Sequence, residues 1–196
     1  MDSLLRLARL VARAGCWFGG AMVALAALMI ALDVLARKLF SVSIGASSEV
    51  SGYVLAIGTS WALALALLDR AHVRIDSLYA ALPVRLCALL DMLALIAFMV
   101  FAAFTTWQGG KVLANSIRVD AHSLTPLGTL LAIPQLFWVA GFVLFSTVLL
   151  LLFARAALLF ARGRWEDVQR LLGPRTAQQE LEEALHERGR YKAPQG

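Results

Sequence analysis

Side chains of unlike chemistry alternate in the stretch Leu68-Asp69-Arg70-Ala71-His72-Val73-Arg74-Ile75-Asp76. If this stretch is extended, His72, Arg74 and Asp76 point to one side, because side chains on extended backbone repeat with a period of two. An imidazole, a guanidinium and a carboxylate alternating in so short a link are not required by topology alone. A second polar set comprises Asp33, Arg37 and Glu49. Asp33 and Arg37 share a helical face if the first helix continues past Leu32, and Glu49 opens the next helix, where the helix dipole favours an anion. These three are expected to form a structural or interface cluster at the periplasmic ends of the first two helices, independent snorkelling to water being the alternative. Asp91 is expected to pair with Arg70, Arg74 or Arg85.

What is missing narrows the chemistry further. The histidines are His72, His122 and His186, none in the middle of an apolar run, which argues against axial haem ligation of the cytochrome b kind. Cys16 and Cys87 would lie toward the reducing side and are too few for a metal site. No glycine-rich phosphate loop, zinc-binding helix signature or serine-nucleophile elbow occurs. The expectation is a non-enzyme with no catalytic residue, no metal and no cofactor. Every acid falls at the end of an apolar run, unlike the mid-membrane carboxylate expected of a small multidrug-type proton exchanger.

The elements that must position these groups follow from the spacing of charge. Of 196 residues, 60% are hydrophobic and 16% charged, with a mean hydropathy of +0.75, which excludes both a water-soluble domain and intrinsic disorder. Ala14 to Leu32, Val50 to Leu68 and Met92 to Gly110 are each 19 residues without Asp, Glu, Lys or Arg, and a longer uncharged stretch runs from Ala121 to Ala154. About 20 helical residues span the ~30 Å hydrocarbon layer. The runs do not alternate as barrel strands would, so they read as helices. In the longest stretch, His122, Ser123, Thr125, Pro126 and Gly128 mark a connection, and Pro134 sits in the first turn of the last helix. The fold class is therefore all-α integral membrane, with transmembrane helices at about 14–40, 48–68, 84–113 and 132–159.

Residues 1–13, the 69–91 link and the tail from Arg155 carry 14 of the 18 Lys and Arg, against four in the other two links. This places both termini in the cytoplasm. An N-terminal signal with cleavage near Ala24-Leu25-Ala26 is not expected, because the apolar run continues to Leu32 and three more spans follow. The net charge of +5 sits in flanks and loops and reads as membrane orientation, not nucleic-acid binding.

Three further features concern packing and flanks. Gly52, Ala56, Ser60 and Ala64 recur at i, i+4 spacing, and Gly15 and Gly19 form a G-x-x-x-G pair. Small residues let helices approach closely in lipid, so tight neighbours are expected, within this chain or in a partner. Residues 1–13 form an amphipathic segment with Arg6, Arg9 and Arg13 opposite Leu4, Leu7 and Val11, suited to membrane lipids at the anionic inner leaflet. The tail, 160–196, carries a short apolar face (Trp165, Val168, Leu171, Leu172), a break at Gly173-Pro174, and a polar helix over 177–188 capped by Thr176.

The His72-Val73-Arg74-Ile75-Asp76 run, Asp33-x-x-x-Arg37, Glu49, Leu82-Pro83 and Ile133-Pro134 together resemble the small, DctQ-like permease subunit of tripartite ATP-independent periplasmic (TRAP) transporters. The resemblance covers roughly residues 14–158. It implies a bacterial inner-membrane scaffold that packs beside a large permease subunit and works with a periplasmic solute-binding protein. Sodium-driven uptake of an organic acid is the implied activity, with His72, Arg74 and Asp76 as structural or interface residues. The alternative is a self-sufficient homo-oligomeric transporter or channel. A membrane anchor for a redox enzyme is disfavoured by the histidine positions.

Overall fold

A computed structural model of the protein describes residues 2–42, 45–69 and 82–172. The elements are α1 (Asp2–Phe40), α2 (Ser47–Leu68), α3 (Val84–Arg118), α4 (Ala132–Ala161) and a short α5 (Trp165–Leu172). Among the described residues, the nearest approach to a strand is an isolated bridge between His122 and Leu130. The first four helices are long and apolar enough to cross a bilayer, so the chain is an all-α integral membrane protein.

Helix α1 is continuous through residues 2–13, with no break between the amphipathic segment and the span. Leu, Ala and Arg are strong helix formers, and neither Gly nor Pro occurs before Gly15. Ala8 and Ala12 are buried in the core, so packing as well as propensity holds these turns. Helix α3 runs about a turn beyond the sequence expectation and stops at Asp120, whose φ is 47°. There Ala121 N–H reaches the Ser116 carbonyl at 2.9 Å, a left-handed cap. Helix α4 ends in the same manner. Gly163 has φ 69°, its N–H meets the Phe160 carbonyl at 3.0 Å, and Arg164 N–H meets the Leu159 carbonyl at 3.0 Å.

The long helices pack as a row: α1 on α2, α2 on α4, and α4 on α3, with a brief contact of α1 with α4. Helix α5 folds back onto α3 and α4 and buries Val168 and Leu172. At the same end of the row lie the N-terminal turns of α1 and α3 and the C-terminal turns of α2 and α4. The core there joins Ala12, Leu68, Ala88, Phe145 and Leu149. Leucines and phenylalanines remain exposed along the outer faces of α1, α3 and α4, as expected of helices whose solvent is lipid.

Row packing depends on glycine. A Cβ on Gly19 would stand 2.9 Å from the Cα of Gly58, so the α1 and α2 backbones touch at this crossing. Trp61 of α2 lies at the junction of three helices. A Cβ on Gly15 of α1 would run into its ring, a Cβ on Gly141 of α4 would come within 2.9 Å of its Cδ1, and its Nε1–H donates to the Phe137 carbonyl at 3.0 Å. Between α3 and α4, Thr106 and Ser146 share a hydrogen bond of 2.9 Å. Without a hydrophobic gain on association, this close contact and the few interhelical hydrogen bonds are what hold the helices together.

Candidate functional site

The end of the row opposite α5 carries a polar clasp. Asp33, in the last turns of α1, is only 2% exposed. Its Oδ2 accepts from Arg37 Nη2 at 2.6 Å and from Ser47 Oγ, the first residue of α2, at 3.0 Å. Arg37 follows Asp33 at i, i+4 because α1 continues to Phe40, and 61% of its side chain remains exposed. The arginine thus reaches water while the carboxylate stays inside, an arrangement that shields one charge and leaves its partner hydrated.

Glu49 lies one half-turn into α2 and accepts from Tyr53 Oη at 2.7 Å and from Thr125 Oγ1. Thr125 belongs to the connection between α3 and α4, which folds into a tight loop. Ser123 N–H bonds the Thr129 carbonyl at 2.9 Å, Leu131 N–H bonds the Ala121 carbonyl at 3.0 Å, and Gly128 takes φ 55°. Pro126 lies 3.6 Å from where a Cβ on Gly45 would stand, and Gly45 itself has φ 69°. The loop therefore closes over the α1–α2 turn, tied by the carboxylate of Glu49. Thr125→Val is expected to speed amide exchange at Ser123 and Leu131 while leaving the centres of α3 and α4 protected. Hydrogen–deuterium exchange of the detergent-solubilised chain reads this, and unchanged rates at both amides would show that Glu49 does not hold the loop.

The predicted residues fall at several places. Asp33 meets both Arg37 and Ser47, whereas the partners of Glu49 here are Tyr53 and Thr125. Gly15 and Gly19 face Trp61 and Gly58. Of the small-residue row on α2, Ser60 and Ala64 are buried, but Gly52 and Ala56 are exposed and Gly52 opens on empty space. Asp91 is 1% exposed, and Arg70 and Arg74 lie outside the described residues. So do His72, Arg74 and Asp76, and the polar helix expected after Thr176.

Sequence reasoning missed Ser47, Tyr53 and Thr125, and also Gly58 and Gly141. Tyr53 had a local signal, its i, i+4 spacing from Glu49. Gly141 had a weaker one, since a lone glycine inside a helix costs about 1 kcal/mol relative to alanine and so marks a close approach. Thr125 had none, because a loop threonine meets a glutamate 76 positions away only through tertiary structure. Among the described residues, no group of three or more His, Cys, Asp or Glu could hold a metal ion.

The family profile described as "Tripartite ATP-independent periplasmic transporters, DctQ component" matches residues 26–159. The chain belongs to the DctQ family. It is accordingly a small membrane component of a tripartite periplasmic transporter, and DctQ proteins are transporter components, not an enzyme family. The DctQ match takes in the whole clasp, from Asp33 to Leu131, and stops at Leu159 in the last turn of α4. It leaves out the arginine-bearing turns of α1 and the α5 segment. No curated protein and no solved structure matches the chain.

Proposed function

We propose that this DctQ protein scaffolds the large permease subunit of its transporter in a bacterial inner membrane. The assembly imports an organic acid delivered by a periplasmic solute-binding protein and driven by a sodium gradient. The observation that carries the reading is family membership across the membrane domain. Two features of the chain support the scaffold role. Its helices form a row with apolar outer faces, a shape that offers long surfaces to a neighbour. The ionisable groups of the described spans, Arg9, Asp33, Arg37, Glu49, Asp91, Lys111 and Arg155 among them, sit toward the ends of the long helices, so the centre of the row lacks the side chains that would carry an ion or a carboxylate.

With the charge asymmetry, the α5 end faces the cytoplasm and the clasp faces the periplasm. The Asp33–Arg37 pair and the Glu49 tie then fix the periplasmic ends of the helices. His72, Arg74 and Asp76 belong to the cytoplasmic face as structural or partner-contacting groups. The test is co-expression with the large permease subunit, followed by reconstitution with and without the binding protein. Co-purification as a stable pair, with sodium-dependent uptake only when all three components are present, is the expected result. Uptake by this chain alone would overturn it.

A further inference from the structure

The packing of α1 against α2 fixes the depth of three arginines. Ser47, the first residue of α2, donates to Asp33, and Leu68, its last, accepts from Arg9 Nη2 at 3.3 Å. The 22 residues of α2 extend about 33 Å, one hydrocarbon thickness. Arg9 therefore stands at the level where α2 leaves the hydrocarbon, at headgroup depth. Arg13 lies one turn deeper and Arg6 one turn shallower on the same flank of α1, and all three are exposed.

Trp17, the next position along this flank, is 77% exposed and lies about 12 Å deeper than Arg9, at the level of acyl chains. Gly20 follows it, and nothing stands within 4 Å of where its Cβ would be, so the helix surface there is open. Leu10 borders this flank and is exposed, and Leu4, Leu7 and Val11, on the far side of α1 from the arginines, are exposed as well. No acid occurs between Asp2 and Asp33. Because α1 is one continuous helix, these turns do not lie flat on the membrane as a separate amphipathic helix would. They stand upright as a rail of positive charge with a greasy margin.

We propose that this flank of α1 binds one anionic phospholipid, its phosphate held by Arg6 and Arg13 about the anchored Arg9, and its acyl chains running past Trp17 and Gly20. Charge complementarity gives the headgroup sign, and arginines at headgroup depth bordered by the exposed Leu10 and Trp17 favour a lipid, with a charged head and apolar chains, over an acidic protein segment. The site lies outside the interval shared with the family and does not depend on the scaffold reading.

The full chain in a neutral detergent is titrated with dioleoyl phosphatidylglycerol or dioleoyl phosphatidylcholine. Retained lipid is counted by native mass spectrometry, and circular dichroism checks the fold. The unmodified protein should retain phosphatidylglycerol over phosphatidylcholine, and the preference should fall as salt rises from about 50 to about 500 mM. R6Q/R13Q should weaken retention by roughly thirtyfold, and R6K/R13K should keep most of it. Arg9 is left in place because it caps α2. Equal retention of the two lipids by the unmodified protein, or a salt-independent preference, overturns the proposal without recourse to any variant. So does a folded R6Q/R13Q that retains phosphatidylglycerol unchanged, and if that variant loses only its association with the large subunit, the rail belongs to a protein contact instead.

Discussion

Gly141→Ala is expected to destabilise the protein by about 1–3 kcal/mol, and Gly141→Leu to abolish a monodisperse folded species. A Cβ at this position would come within 2.8 Å of Ser60 Cβ and 2.9 Å of Trp61 Cδ1. A serine hydroxyl can rotate away, but its Cβ is fixed to the α2 backbone. Trp61 cannot retreat either, since Gly15 of α1 packs against its ring and its Nε1–H is committed to the Phe137 carbonyl. Relief requires α4 to move away from α2, which breaks the middle contact of the row. The gain in helix propensity from glycine to alanine, about 1 kcal/mol, offsets only part of this. Gly52→Ala is the matched control, because nothing stands within 4 Å of its would-be Cβ. Thermal unfolding in detergent separates the two, with a lowered midpoint for Gly141→Ala and an unchanged or raised one for Gly52→Ala. Equal midpoints would mean that the α2–α4 contact is not close-packed at this junction.

Arg37→Ala has the second largest expected effect, a loss of about 1–3 kcal/mol. Breaking a fully buried pair costs more, about 3–5 kcal/mol, but the arginine is 61% exposed and water replaces part of what it supplies. The loss comes from the carboxylate: Asp33 is 2% exposed and sits where α1 meets α2, so its charge depends on the groups around it. Asp33→Asn keeps an acceptor for Ser47 and removes the charge. In the Arg37→Ala background, Asp33→Asn should therefore recover part of the lost stability. A double-mutant cycle on the unfolding midpoint measures this coupling. Strict additivity would show that the two side chains do not act as a pair.

Much of the fold was legible because membrane insertion imposes so few solutions. Charge-free runs of bilayer length fix the number of helices, and Pro134 and the loop residues near Thr125 fix where the last one starts. The α1 boundary was less legible. The turn of composition at residue 13 reads as a junction, but the strong helix formers on both sides of it continue one helix. The i, i+4 spacing of small residues on α2 implies tight neighbours without saying which residue meets which helix. Helix α2 stands between two neighbours and meets them on two faces: Gly58 serves α1 and Ser60 lies against Gly141 of α4, while Gly52 and Ala56 face outward.

The polar groups divide in the same way. Asp33 and Arg37 lie a helical turn apart, and their meeting is local, so spacing alone was enough to expect it. Shared membrane depth places Glu49 beside them in expectation, but depth does not choose a partner. Its carboxylate meets Tyr53, which spacing allows, and Thr125, which only the folding of a distant loop brings within reach. The sequence by itself determined that this chain spans a membrane four times, where its charges sit along each helix, and which family it resembles. Tertiary structure decided the order of helices in the row, the glycines that carry its contacts and the partners of each polar side chain. The physical reason is that bilayer depth and helical periodicity are properties of one segment, whereas packing is a property of pairs that lipid does not sort in advance.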